Sequence, residues 1–170
     1  MTSRLIVGEG LVLRRWTTAD LEAMVALFDE ANIARWTPLQ SPFDATAATA
    51  YVERACSLAA TRLQLAITVD GDEPLGEVML DVPTAVAGYM VGARFRRQGL
   101  ASRALRVITA YAHGVARLGA VNLHVATANS ASAEVARRAG YTLSEAPLER
   151  VQNKGEWQVL GTWVHRSGEL

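Results

Sequence analysis

From Gly88 to Ser102 the chain reads Gly-Tyr-Met-Val-Gly-Ala-Arg-Phe-Arg-Arg-Gln-Gly-Leu-Ala-Ser, a pattern of strand, loop and helix start. The start of a helix presents unpaired backbone N–H groups and the positive end of its dipole, so it suits an anion. Gly99 lets main chain approach a phosphate closely, and the small Ala101 and Ser102 leave room beside it. Arg96 and Arg97 bring positive charge, with no acid in the same segment to neutralise them. Other phosphate loops do not fit. A Walker A loop needs Gly-Lys-Ser/Thr, but Lys154, the only lysine, is followed by Gly155. The lone Gly8-Glu9-Gly10 precedes a strand and lacks the third glycine of a dinucleotide fingerprint.

The elements that must position this loop follow from periodicity. Leu11 to Trp16 reads as a strand, and Thr17 with Asp20 resembles a capping box ahead of a helix carrying Leu21, Met24, Val25 and Phe28. Ala31 to Phe43 is expected to be a looser connection. Asp44 caps a second helix bearing Ala48, Tyr51, Val52, Ala55 and Leu58. Leu63–Val69, Leu75–Leu80 and Ala85–Val91 read as strands around turns at Asp70–Pro74 and Pro83. Gly99 to Leu118 is predicted as the longest helix, stopped by Gly119. A strand follows over Val121–Ala126, then a short helix over Asn129–Ala139 ended by Gly140. Strands over Tyr141–Glu145 and Trp157–His165 close the chain. The order is that of an α+β protein: one mixed, mostly antiparallel central sheet of about seven strands flanked by about four helices, with residues 1–170 as one domain.

Composition bounds the function. The chain has 170 residues, 17 basic and 17 acidic, half of them apolar and a fifth charged, a globular composition. The zero net charge argues against nucleic-acid binding or a polybasic membrane-surface role. No uncharged run approaches the ~18 apolar residues of a membrane span, and the opening segment is too short for a signal peptide. A cytoplasmic protein is expected. The single Cys56 makes no internal disulfide, and His113, His124 and His165 show no metal-ligand spacing. The charge is also segregated. Residues 1–81 carry net −6, whereas Val82–Ala133 contains six arginines and no acid. That distribution suggests an anionic ligand at the centre and a cationic substrate met by the acidic front.

Arg96-Arg97-Gln98-Gly99-Leu100-Ala101 fits the [Gln/Arg]-x-x-Gly-x-[Gly/Ala] signature of the GNAT acetyltransferase superfamily, at the end of a strand containing Gly-Tyr and the start of the long helix. About 30 residues on, Asn129-Ser130-Ala131-Ser132 followed by Gly140-Tyr141 resembles that family's Asn-x-x-Ser…Gly-[Phe/Tyr] element. Both blocks and the element order resemble the ribosomal-protein N-terminal acetyltransferase branch (RimJ/RimL-like). One departure is that Val86-Ala87 stand where this branch commonly has an acid before the Gly-Tyr pair.

The resemblance implies a GNAT-like domain with acetyl-CoA as co-substrate and no metal. The pyrophosphate would sit on the N–H groups of Gln98, Gly99, Leu100, Ala101 and Ser102, flanked by Arg96 and Arg97. Met90 and Val91 would pair with the pantetheine arm, and Asn129 would hydrogen-bond it. Ser132 would help protonate the leaving thiolate. Glu149, between the last two predicted strands, is the first candidate for general base, and Glu77, beside the cofactor-binding strand, the second. Tyr89 is read chiefly as a packing aromatic, while Trp16, Trp36 and Trp157 could line an acceptor cleft. The acceptor is expected to be a primary amine, such as a protein N-terminus, attacking directly in a ternary complex. A longer acyl-CoA such as succinyl-CoA, and an inactive CoA-binding module, are the alternatives. Either a monomer or a homodimer is expected.

Overall fold

The computed structural model describes residues 5–168. It contains nine strands and five α-helices among those residues, in the order β1 (Ile6–Gly8), β2 (Leu11–Arg15), α1 (Leu21–Phe28), α2 (Ala31–Trp36), α3 (Ala45–Ser57), β3 (Arg62–Thr68), β4 (Gly76–Asp81), β5 (Val86–Val91), α4 (Leu100–Gly114), β6 (Ala120–Ala126), α5 (Ser130–Arg138), β7 (Thr142–Leu143), β8 (Glu149–Asn153) and β9 (Glu156–Arg166). One mixed sheet holds all nine strands, ordered β1-β2-β3-β4-β5-β6-β9-β7, with β8 also paired to β9. Every pairing is antiparallel except that of β5 with β6.

The α+β class and mostly antiparallel sheet match the sequence expectation, and the differences are local. Two of the four extra or displaced elements are hairpins closed by two left-handed residues, Glu9 and Gly10 between β1 and β2, and Lys154 and Gly155 between β8 and β9. That geometry matches the twist of paired strands, and neither turn carries the commoner Asn-Gly or Asp-Gly signal. The third is α2, which forms inside the expected connection because the Glu30 side chain accepts a hydrogen bond from Asn32 N–H at its start. The fourth is the end of α4. It stops at Gly114 rather than continuing to Leu118, as Arg117 turns left-handed (φ 59°) and Leu118 N–H returns to the Ala112 carbonyl.

Apolar residues fill both faces of the sheet. On one face Leu13, Ile67, Val78, Leu80 and Leu123 pack under Leu105 and Ile108 of α4 and under Tyr141. On the other, Trp16, Phe28, Phe43 and Tyr51 form edge-to-face ring contacts centred on Phe28 at 5.4–6.1 Å. These contacts anchor α1 and α3 to the sheet. The interruption that matters for function lies at the sheet's centre. β5 and β6 bridge only at Val86 and Asn122, and their far ends separate into a cleft.

Candidate active site

The cleft opens into two adjoining cavities. One, of about 740 Å³, is lined by the loop and first turn of α4 and by the start of α5. The other, of about 680 Å³, lies between the strands and α3. Trp36, Thr37, Tyr89, Met90 and Ser132 line both, so the two meet at the splayed end of β5.

The first cavity contains the main chain of the loop and of the first turn of α4. Gly99 is left-handed (φ 71°), and a Cβ there would meet nothing within 4 Å. The loop face is therefore open to a ligand. Arg103 N–H closes the first intrahelical bond onto the Gly99 carbonyl, so the N–H groups of Leu100, Ala101 and Ser102 precede the helical ladder and lack partners within it. The Ser102 hydroxyl donates to the Gly99 carbonyl (3.1 Å) and fixes the turn. Of the residues proposed from sequence to hold the cofactor, Met90, Val91, Arg96, Arg97, Gly99, Leu100, Ala101, Ser102, Asn129 and Ser132 line this cavity. Gln98 is exposed and is not among the lining residues.

Three details differ from expectation. Arg96 is not unneutralised, because its guanidinium pairs with Glu30, which the fold brings in from the start of α2. Burial works to raise the Glu30 carboxyl, but Arg96 and the α2 backbone amides outweigh it and hold that group below the usual carboxylate range. Met90 turns its carbonyl toward Gly76 of β4, where a Cβ would collide with it. The Val91 carbonyl, which accepts from Arg96 Nε at 3.1 Å, is the strand-end acceptor beside the loop. Asn129 caps α5, its side-chain oxygen accepting from Ser132 N–H (3.1 Å), which leaves the amide NH₂ for a ligand.

Where the cavities meet, the Tyr89 hydroxyl lies 2.7 Å from Ser132 Oγ and 2.8 Å from the Ser132 carbonyl. A carbonyl only accepts, so Tyr89 donates to it and Ser132 Oγ–H donates to Tyr89. Burial pushes the Tyr89 hydroxyl up to about 12, so it is a proton donor at neutral pH.

The second cavity is built from side chains. Its one lining carboxylate is Glu77, 2% exposed, accepting from Trp16 Nε1 (2.7 Å) and the Tyr51 hydroxyl (2.6 Å). Gln64 Nε2 donates to Tyr51 in turn (2.6 Å). Burial raises the Glu77 carboxyl to about 7 despite both donors, placing a proton acceptor in the physiological range. Burial and the facing Glu77 push the Tyr51 hydroxyl far up, so it stays protonated.

Glu149, the first candidate for general base, lies apart from both cavities. It starts the exposed β8 opposite Leu160 and lines neither cavity. Trp157 is exposed under Arg150, whereas Trp16 is buried and holds Glu77. The contribution of the β8–β9 hairpin is indirect. Lys154 Nζ, Asn153 Nδ2 and Gln158 Nε2 donate to the carbonyls of Ala34, Arg35 and Thr37 at the end of α2, which fixes Trp36 over both cavities.

Sequence reasoning missed Tyr51 as a polar partner, together with Gln64, Arg54 and Arg62, which line the second cavity. The available signal was polar residues inside apolar strands. Arg62 and Gln64 alternate with Leu63 and Leu65, and Glu77 interrupts Gly76–Leu80.

A family profile described as an acetyltransferase (GNAT) domain matches residues 10–142. No curated protein matches at the level of sequence. Among solved structures, a RimL ribosomal L7/L12 α-N-protein acetyltransferase superimposes with a TM-score of 0.82 at 17% identity, over 98% of this chain and 96% of that one. Mycobacterium smegmatis RimJ, in complex with CoA-disulfide, gives 0.81 at 20% identity over 99% and 87%. The microcin C7 self-immunity acetyltransferase MccE, in complex with acetyl-CoA and AMP, gives 0.81 at 19% identity over 98% and 97%.

Proposed function

The chain belongs to the GNAT acetyltransferase family, and on that premise we propose that it transfers acetyl from acetyl-CoA to a primary amine by direct attack in a ternary complex. One observation carries the reading: a cavity at a helix start with free N–H groups and a cavity holding the buried Glu77 carboxylate open onto each other at Tyr89 and Ser132. RimJ is in complex with CoA-disulfide and MccE with acetyl-CoA and AMP, and the cradle here has the open left-handed glycine and helix-start N–H groups that suit a ligand of the CoA class.

In this reading the N–H groups of Leu100, Ala101 and Ser102 hold the pyrophosphate, with Arg97 and the partly neutralised Arg96 beside it. Gln98 contributes from the exposed rim. Val91 and the Asn129 amide hold the pantetheine arm, and Met90 lines the passage through its side chain. Bound there, acetyl-CoA supplies an activated acyl group next to the second cavity.

Glu77 in its ionised form receives the amine proton, directly or through water, as the nitrogen bonds to the carbonyl carbon. As the carbon–sulfur bond breaks, the departing sulfur takes a proton from the Tyr89–Ser132 pair. Tyr51 and Trp16 keep the Glu77 oxygens in place through the two hydrogen bonds already formed. Holding both reactants in one cleft supplies a large share of the rate.

The test is release of free thiol from acetyl-CoA against a panel of primary amines, with succinyl-CoA as the competing donor. Amine-dependent thiol release that is faster with acetyl-CoA is expected. Tight CoA binding without release by any amine would mark the chain as a binding module and sink the proposal.

A further inference from the structure

On the face of β3 and β4 that meets α3, side chains alternate in register. Glu77 lies opposite Ala66, Met79 opposite Gln64, and Arg62 opposite Asp81. The second cavity runs along this face and is lined by Glu77, Met79, Gln64 and Arg62. Arg54 joins them from α3, one turn beyond Tyr51, with its guanidinium 5.8 Å from the Tyr51 ring. The cavity therefore has a carboxylate at its reacting end and two guanidinium groups toward the other. Glu77 and Asp81 are four positions apart, about 13 Å of strand.

Of the acidic residues of the first 81, only Glu77 lines this cavity, and the fold employs several others elsewhere. Glu9 pairs with Arg106, Asp20 with Arg14 and Glu30 with Arg96, while Asp44 caps α3. Asp81 reaches Arg62 Nε only at 3.6 Å, and its other oxygen is held by Thr84. Arg62 Nε is buried without a hydrogen-bond partner. Arg62 thus has a carboxylate at ion-pair distance but no hydrogen bond to its Nε, and an oxyanion meeting its guanidinium from the cavity would complete it.

We propose that the amine acceptor carries an oxyanion group, a carboxylate or a phosphate, bound by Arg62 and Arg54 while its amine faces Glu77. This reverses the cationic acceptor suggested by the sequence charge. It rests on the acetyl-transfer reading, so the experiment has a turnover arm and a binding arm.

Four amines share one alkyl chain and differ at the far end: 6-aminohexanoate, 5-aminopentyl phosphate, 6-aminohexanamide and 1,6-diaminohexane. Thiol release from acetyl-CoA is measured for each, and calorimetry measures each binding to the CoA-loaded protein. One or both anionic amines should exceed the carboxamide at least tenfold in kcat/KM, and the better of the two identifies the oxyanion. Arg62→Met should lower kcat/KM for the preferred anionic amine at least tenfold more than for the carboxamide, and Arg54→Gln should reduce the preference less. Arg54 is exposed, so this second variant preserves the fold if Arg62→Met does not.

A carboxamide or diamine that matches the anionic amines in both arms would overturn the proposal, as would an anion preference that survives both substitutions. If no amine turns over but 6-aminohexanoate or 5-aminopentyl phosphate binds in an Arg62-dependent way, the anion site stands and the acetyl-transfer reading falls.

Discussion

The cavity at the start of α4 offers the main-chain N–H groups of a helix start, whereas the cavity beside α3 presents polar side chains from α3, β3 and β4, with Trp16, just after β2, holding Glu77. Main-chain recognition tolerates changes of side chain as long as the backbone path is kept, and it reads a feature common to many ligands, a phosphate. Side-chain recognition depends on residues far apart in sequence. Trp16 and Glu77 are separated by 61 positions and Tyr51 and Glu77 by 26. The donor half should therefore respond to changes in backbone conformation and the acceptor half to single polar substitutions, each with little effect on the other.

The largest effect is expected from Glu77→Gln. If Glu77 accepts the amine proton, kcat/KM should fall by about 10²–10⁴, with the affinity for acetyl-CoA within twofold of the parent. The parent rate should rise with pH through about 7, as the buried carboxyl ionises, and that component should vanish in the variant while the slope from the amine itself remains. Stability gives an independent reading. Burial raises the carboxyl from the ordinary 4.5 to about 7 in the folded protein, so between those values the folded protein holds a proton that the unfolded chain has already released. Stability should fall as pH rises from about 4.5 to 7, by on the order of 3 kcal/mol. Denaturant titrations of the variant should lack that slope. An unchanged pH–rate profile would return Glu77 to a purely structural role.

Gly99→Val probes the other half. The side chain would project into open space, so the cost is left-handed strain of roughly 1–2 kcal/mol together with obstruction of the cradle. A drop of a few degrees in Tm and a loss of acetyl-CoA affinity of tenfold or more are expected by calorimetry, with the acceptor KM unchanged. A matching rise in acceptor KM would show that the cavities are coupled rather than separable.

The same contrast explains what could be read in advance. The cradle was legible because its signals are contiguous: a strand, two arginines, a left-handed glycine and a helix within 15 residues. Asn129 and Ser132 likewise share a single helical turn. The strand pattern gave the α+β class, but not β1 or β8, since hairpins closed at Glu9-Gly10 and Lys154-Gly155 depend on pairing as much as on turn residues. Glu149 is suggested by the resemblance, as the acid between the last two predicted strands, and the β8–β9 pairing puts it at the exposed start of β8, where it lines neither cavity. Glu77 stood out as a charge in an apolar strand, yet its hydrogen bonds and raised pKa come from neighbours that no local window contains. Charge arithmetic points to an anionic ligand at the centre but cannot show that Arg96 is paired with a residue 66 positions away.

That ion pair supplies the smallest and most discriminating test. Glu30 both caps α2 and withdraws part of the Arg96 charge from the cradle. Glu30→Gln retains a side-chain oxygen able to accept from Asn32 N–H, so α2 should keep its start while Arg96 regains its full field. If charge dominates, acetyl-CoA should bind two- to threefold more tightly at low salt, and the gain should fade by about 0.5 M salt as screening shortens the reach of the guanidinium. If the pair instead serves to aim Arg96 at the Val91 carbonyl beside the loop, the variant should bind acetyl-CoA more weakly at every ionic strength. The sign of the change decides between them: tighter binding makes the first cavity an electrostatic site restrained by Glu30, and weaker binding makes it a geometric one in which even the arginine acts through its position.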